Sequence, residues 1–200
     1  MDYQTIILFV IFFTLWYYLQ IKIYTYDDFL SSEECDALLA SAQKKGFAKS
    51  KVRIGNQDLN SKSRTSETCF IDTPLLDEKI CNLVQLPKNN CEQMQVVKYM
   101  PNQFYKPHYD ATHNDTKGGL RYCTFLIYLN DDFDGGVTYF PKLNIKVTPK
   151  KGKAVLFYNT LPFPFRGSIN YWSLHEGQPP KNGIKYICNK WIRIHEYIKK

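Results

Sequence analysis

His108 and Asp110 stand one residue apart, His175 follows 65 residues after Asp110, and Lys185 comes ten residues later. Two imidazoles and one carboxylate can occupy one face of a metal ion and leave the opposite positions open. That is the arrangement of non-haem Fe(II) sites that take a co-substrate and O2 together. The spacing also constrains the fold. On a strand, side chains i and i+2 point to the same side and reach one ion. The distal histidine must then arrive on a strand folded back across the first. A His-x-Asp pair alone arises often by chance; the second histidine and a positioned lysine make it informative.

The rest of the pattern agrees with a β-rich domain. From Gln93 onward, short apolar runs alternate with Gly, Pro, Asn and Asp, which predicts strands over Thr124–Leu129, Val137–Phe140, Ile145–Val147, Ala154–Tyr158 and Tyr186–Ile194. Many short strands at close spacing mean a sandwich or barrel. Before them, Ser31 and Glu34 fit a capping box, and Cys35, Leu38, Leu39 and Ala42 follow at helical spacing up to Gly46. Pro74 opens a second helix through Leu75, Leu76, Ile80, Leu83 and Val84. The polar stretch between the helices, Lys49 to Lys62, carries Gly55 and Asn56 as turn signals.

With 200 residues there is room for one domain with a sizeable core. The net charge of +7 raises nucleic acid or an anionic surface as partners. The lysines are scattered, with no base-stacking or helix-turn-helix pattern, so a solvated basic surface is expected and no nucleic acid. Cysteines at 35, 69, 81, 91, 123 and 188 allow up to three disulfides in an oxidising compartment, while no pair has zinc-ribbon spacing. The oligomeric state is left open.

Residues 1–22 read as a separate unit. Ile6 to Leu19 carries no charge, and Trp16, Tyr17 and Tyr18 stand where an interfacial aromatic belt would. A basic start and small residues at a cleavage site are both missing, which favours an uncleaved signal anchor with a transmembrane helix over a cleaved signal peptide. The run is short against the ~20 residues of a comfortable span. Lys22 votes weakly for a cytoplasmic downstream domain.

The motifs downstream carry a family resemblance. They are Gln95-Val96-Val97-Lys98-Tyr99, Gln103-Phe104-Tyr105-Lys106-Pro107-His108-Tyr109-Asp110 and Arg121 through Asn130. Then follow Gly135-Gly136-Val137-Thr138-Tyr139-Phe140-Pro141, Pro149 through Phe157, Ser173-Leu174-His175-Glu176-Gly177, Gly183-Ile184-Lys185-Tyr186 and Asn189-Lys190-Trp191-Ile192-Arg193. From about Tyr26 to Ile194 the chain resembles the short, single-domain prolyl 4-hydroxylases among the Fe(II)/2-oxoglutarate dioxygenases. The resemblance implies a mostly β domain over residues 23–200, folded as a double-stranded β-helix (jelly-roll barrel) with flanking helices. It implies hydroxylation of peptidyl proline at C4 with O2 and 2-oxoglutarate, release of succinate and CO2, and ascorbate as reductant.

By the same resemblance, His108, Asp110 and His175 hold iron. Lys185 meets the distal carboxylate of 2-oxoglutarate, and Tyr99, Thr124 and Tyr128 surround that co-substrate. Arg121, Arg64, Ser66 and Trp191 face a proline-containing peptide or protein, with a substrate loop at about Lys51 to Ser63. The family's usual home places the catalytic domain in the lumen of the endoplasmic reticulum, tethered to the membrane, against the weak Lys22 signal. Asn114-Asp115-Thr116 offers an N-glycosylation triplet there. His113 and His195 are not expected to be ligands. Asn102 departs from a family glycine and Val137 from a polar residue, which bears on turn shape and groove lining. Lysyl hydroxylation, a metal-free tethered binding module and a zinc hydrolase are the competing readings; the last leaves Lys185 unexplained.

Overall fold

The computed structural model describes residues 2–19, 22–54, 57–59, 62–112, 118–161 and 167–198. Three helices precede most of the β structure: α1 (Tyr3–Leu19), α2 (Ser32–Lys45) and α3 (Pro74–Val84). The start of α2 is the expected capping box. The Ser31 hydroxyl accepts from the Glu34 N–H, and the Glu34 carboxylate accepts from the Ser31 N–H. Gly46 ends it at φ +87°, where a side chain would be strained. Pro74 fills the first turn of α3, where its missing N–H costs nothing.

The strands are β1 (Tyr24–Tyr26), β2 (Ala48–Lys49), β3 (Val52–Ile54), β4 (Gln57–Leu59), β5 (Glu67–Ile71), β6 (Met94–Tyr99) and β7 (Tyr105–His108). They continue as β8 (Arg121–Tyr128), β9 (Thr138–Phe140), β10 (Ile145–Val147), β11 (Ala154–Tyr158), β12 (His175–Gly177) and β13 (Lys185–Arg193). A seven-stranded sheet runs β1-β11-β8-β13-β6-β5-β2, and a four-stranded sheet runs β10-β9-β12-β7; β3 and β4 pair as a hairpin. Every pairing is antiparallel. These two facing sheets are the expected jelly roll. Strand β8 begins three residues before its sequence pattern, because β13 pairs with it as far as Arg121 opposite Arg193.

Alternation along the large sheet builds two apolar layers. Val96, Cys123, Ile127 and Cys188 face outward and pack with Cys35 and Ala42 of α2 and Ile80 of α3. Their neighbours Val97, Leu126 and Ile187 face inward and meet Phe140 and Val147 of the small sheet. Burying one such Val, Leu or Ile stabilises by roughly 1.5–3 kcal/mol. The inward layer supplies part of the wall of the cavity that holds the polar site.

Helix α1 coincides with the apolar run of residues 1–22. It forms over 17 residues, about 25 Å at ~1.5 Å per residue against a ~30 Å hydrocarbon core. Among the described residues no helix is long and apolar enough to cross a membrane. Its side chains from Ile6 to Leu15 are exposed. Lys22 is described only as an exposed residue beyond the helix end, and His113 and the Asn114 triplet lie outside the described residues.

Candidate metal centre

His108 ends β7 and His175 opens β12, and the two residues lie directly opposite each other in the antiparallel pair. The strand folded back across the first is therefore in place. Asp110 differs from the strand reading: it sits in the bend just after β7. The bend still brings its carboxylate between the imidazoles. Asp110 Oδ1 is 3.6 Å from His108 Nε2, and Oδ2 is 3.7 Å from His175 Nε2. All three ligand atoms lie within 4.8 Å of one another.

The protonation pattern fits a metal. His108 Nδ1 lies 2.8 Å from the Lys106 carbonyl and His175 Nδ1 lies 2.9 Å from the Ser173 carbonyl. A carbonyl only accepts, so Nδ1 carries the proton and Nε2 keeps its lone pair for the centre. Burial and then the adjacent His108 push the His175 imidazole down to about 4, which leaves it neutral at pH 7. Burial alone pushes the Asp110 carboxyl up. His175, His108 and Arg121 outweigh it, and the group ionises well below the usual carboxylate range. Two imidazoles and one carboxylate form a facial donor set suited to Fe(II).

Thr124, expected beside the co-substrate, hydrogen-bonds to this centre. Its hydroxyl donates to Asp110 Oδ2 at 2.6 Å and accepts from Asn159 Nδ2 at 2.8 Å. Its one proton is thus committed to the carboxylate. Asn159, fully buried, completes a relay that no spacing pattern indicates.

One cavity joins the triad to Lys185, with Tyr99, Leu126 and Ile187 among its walls. Lys185 is 0% exposed, and its Nζ donates to the Gly136 carbonyl at 2.6 Å. The Tyr99 and Tyr128 ring centroids are 5.2 and 5.8 Å from that nitrogen. Among the described residues no carboxylate pairs with it, and burial lowers its ammonium to about 7. Two further donors of the ammonium remain for an anion. Gly136 cannot be replaced easily: at φ +62° an added Cβ would meet Phe133 at 2.6 Å and Lys185 Cδ at 3.1 Å.

Two other expected co-substrate residues separate here. Tyr99 lines the cavity. Tyr128 does not; it is fully buried, with its hydroxyl 2.7 Å from Thr138 Oγ1 and 3.3 Å from the Val147 carbonyl. Thr138, in turn, does reach the cavity. Tyr128 therefore fixes a lining hydroxyl and packs beside Lys185.

The expected peptide contacts separate in the same way. Arg64 and Trp191 line the cavity. Arg64 donates to Ser66 Oγ and Gln95 Oε1, each at 3.1 Å, and its guanidinium lies 4.7 Å from the Tyr105 ring centroid. Trp191 is 5% exposed, and its indole Nε1 has no hydrogen-bond partner among the described residues. Ser66 is fully buried and shared between Arg64 and Ser50, so it supports Arg64 from behind. Arg121 is held bidentately by Glu92, at 2.6 and 2.9 Å, and stacks 3.6 Å from the Trp191 ring centroid. It braces Trp191 from outside the cavity lining.

Tyr105 is the residue that sequence reasoning missed. It lines the cavity and stacks on His108, with centroids 3.5 Å apart and planes 17° from parallel. Strand alternation puts residues 105 and 108 on opposite faces. Here β7 bulges: three residue steps from Tyr105 to His108 oppose two from Gly177 to His175. The extra residue turns Tyr105 to the histidine side. Asn102, the departure from glycine, adopts φ +67°, a left-handed conformation that Asn tolerates better than most residues.

A jelly roll with a His-Asp-His centre and a buried lysine at the end of one cavity defines a 2-oxoglutarate- and iron-dependent oxygenase. The family model for the 2OG-Fe(II) oxygenase superfamily matches residues 94–193. Prolyl 4-hydroxylase 1 of Arabidopsis thaliana is 35% identical over 197 residues, covering 86% of this chain and 69% of that protein. Prolyl 4-hydroxylase 5 of the same plant is 34% identical over 204 residues, covering 86% and 68%. The solved structure of a viral collagen prolyl hydroxylase from Paramecium Bursaria Chlorella virus-1, in complex with 2OG, superposes with a TM-score of 0.69. It is 31% identical, over 85% of this chain and 94% of that one. The chain belongs to the prolyl 4-hydroxylase family of this superfamily.

Proposed function

We infer that this protein hydroxylates peptidyl proline at C4, using Fe(II), O2 and 2-oxoglutarate and releasing succinate and CO2. The observation that carries the reading is one cavity that holds both a three-residue donor set and a fully buried ammonium with no carboxylate partner among the described residues. His108, Asp110 and His175 would hold the iron. When bound, the metal and co-substrate supply the oxidising chemistry that places one oxygen of O2 on the substrate.

The chain's own residues do the positioning. Thr124 and Asn159 hold the Asp110 carboxylate in one orientation. Lys185 offers a charge-assisted partner to the distal carboxylate of 2-oxoglutarate, and its burial excludes water that would weaken the pair. Tyr99 walls the same space. Tyr105, Arg64 and Trp191 line the cavity, and the free Trp191 Nε1 is a donor for a peptide carbonyl.

Incubation with Fe(II), 2-oxoglutarate and poly-proline, collagen-like or lysine-containing peptides tests the reading. Expected is 4-hydroxyproline with stoichiometric succinate. Hydroxylysine alone, or no product, would overturn it. Ascorbate belongs to the proposal as the reductant that sustains prolonged turnover, checked by its omission. Attachment to an endoplasmic-reticulum membrane with a lumenal catalytic domain is also proposed. The exposed, uncharged run from Ile6 to Leu15 supports attachment. Digestion of the domain in sealed microsomes without detergent would place it in the cytosol instead.

A further inference from the structure

Among the six cysteines one pair stands apart. Cys35, Cys69, Cys123 and Cys188 are buried in the outer apolar layer as small hydrophobes. Cys81, on the last turns of α3, and Cys91, just before β6, bring their sulfurs to 2.7 Å. That lies between a covalent S–S length of about 2.05 Å and ordinary non-bonded packing. Both are free thiols here, Cys81 3% exposed and Cys91 partly exposed. The nine-residue connection between them is tied back at each end. The Leu86 N–H donates to the Cys81 carbonyl, and the Cys91 N–H to Lys88.

We propose that Cys81 and Cys91 are a disulfide-forming pair that locks α3 to the strand entry carrying Glu92. The oxidant is a disulfide of the glutathione class. One thiol of the pair, deprotonated, first exchanges with it, forming a mixed disulfide and releasing one thiol. The other thiol then attacks that protein sulfur and expels the second thiol. Two protein thiols are oxidised, one external disulfide is reduced to two thiols, and the protons travel with those leaving groups.

The position gives the bond a purpose. Cys91 bridges to Ile192 of β13, and Glu92 follows it. The Glu92 N–H donates to the Trp191 carbonyl at 2.9 Å, and its carboxylate holds Arg121 and Arg193. Lys190 Nζ reaches both the Glu92 carbonyl, at 2.7 Å, and Asp77 of α3, at 2.6 Å. The helix and the Glu92 corner are thus already joined by one ion pair, and the crosslink makes the junction covalent. Glu92 in turn sets the Arg121 that braces Trp191.

Mass spectrometry on the full chain tests this without any need for activity. After incubation with oxidised glutathione, denaturation and alkylation should leave Cys81 and Cys91 unmodified and joined in one peptide pair, with the other four cysteines alkylated. Prior reduction should make all six alkylate. The crosslinked chain should melt roughly 5–10 °C above the reduced chain, an increment that a Cys81→Ala/Cys91→Ala variant lacks. Quantitative alkylation of Cys81 and Cys91 after oxidation, a different cysteine pairing, or equal melting of oxidised and reduced chains would overturn the proposal.

Discussion

Thr124 gives its only hydroxyl proton to Asp110, 2.6 Å from Oδ2, and so fixes the orientation of the carboxylate that lies between the two imidazoles. Partners behind the ligands of a metal site typically account for 10–100-fold in affinity or activity. Thr124→Val keeps the shape and removes the proton. Its kcat and Fe(II) affinity should fall by about that factor while KM for 2-oxoglutarate stays within about twofold. A selective rise in that KM would return Thr124 to the co-substrate.

Replacing His108, Asp110 or His175 by Ala should abolish turnover and high-affinity Fe(II) binding, since each removes one of three protein ligands. Circular dichroism should still report a folded β domain. Full activity in His175→Ala would refute the centre.

Lys185→Ala should raise KM for 2-oxoglutarate strongly, and Lys185→Arg should keep part of the function because charge survives while geometry changes. The pH dependence follows from burial. The ammonium is lowered to about 7 from 10.5. Across that window the unfolded chain holds a proton the folded one lacks, so the free protein gains stability as pH rises through it. A bound dicarboxylate favours the ammonium, and binding above pH 7 should take up a proton. Calorimetry in two buffers near pH 8 measures that uptake, and KM should climb as pH increases. Proton-neutral binding would contradict this.

Trp191→Phe keeps the ring beneath Arg121 and removes the free Nε1 donor. KM for the peptide should rise about tenfold, the equivalent of ~1.4 kcal/mol, with KM for 2-oxoglutarate unchanged. Equal effects on both would mean that the indole only packs.

Glu92 is 7% exposed and bound to Arg121 and to the fully buried Arg193. Glu92→Ala removes the carboxylate that both cations share and should lower stability by about 3–5 kcal/mol in urea unfolding. A loss below ~1 kcal/mol would show the cluster to be solvated.

The metal ligands and Lys185 were legible because ion chemistry restricts residue type and spacing together. The helix ends were legible for a similar reason, since Ser31, Gly46 and Pro74 act through their own backbones. Hydroxyl roles were not. Thr124, Tyr128 and Ser66 are assigned by neighbours across the sheet, namely Asp110, Thr138 and Arg64 with Ser50, and no local pattern names those partners. Tyr105 escaped because a bulge suspends the alternation on which strand reading depends. The N-terminal apolar run is a helix as expected, 17 residues long among those described.

Strand β13 places Lys185, Ile187, Asn189 and Trp191 on the cavity at every second position, while Cys188 and Ile192 face the outer layer. It works as a molded ruler on which the lysine and tryptophan stations are engraved at a fixed interval. Point substitutions can retune either station separately. A single inserted or deleted residue between them would reverse every later side chain, sending Trp191 outward and Lys190 toward the iron. Diversification of substrate choice in such an enzyme is therefore channelled into residue swaps and connecting loops, with the length of this strand held constant.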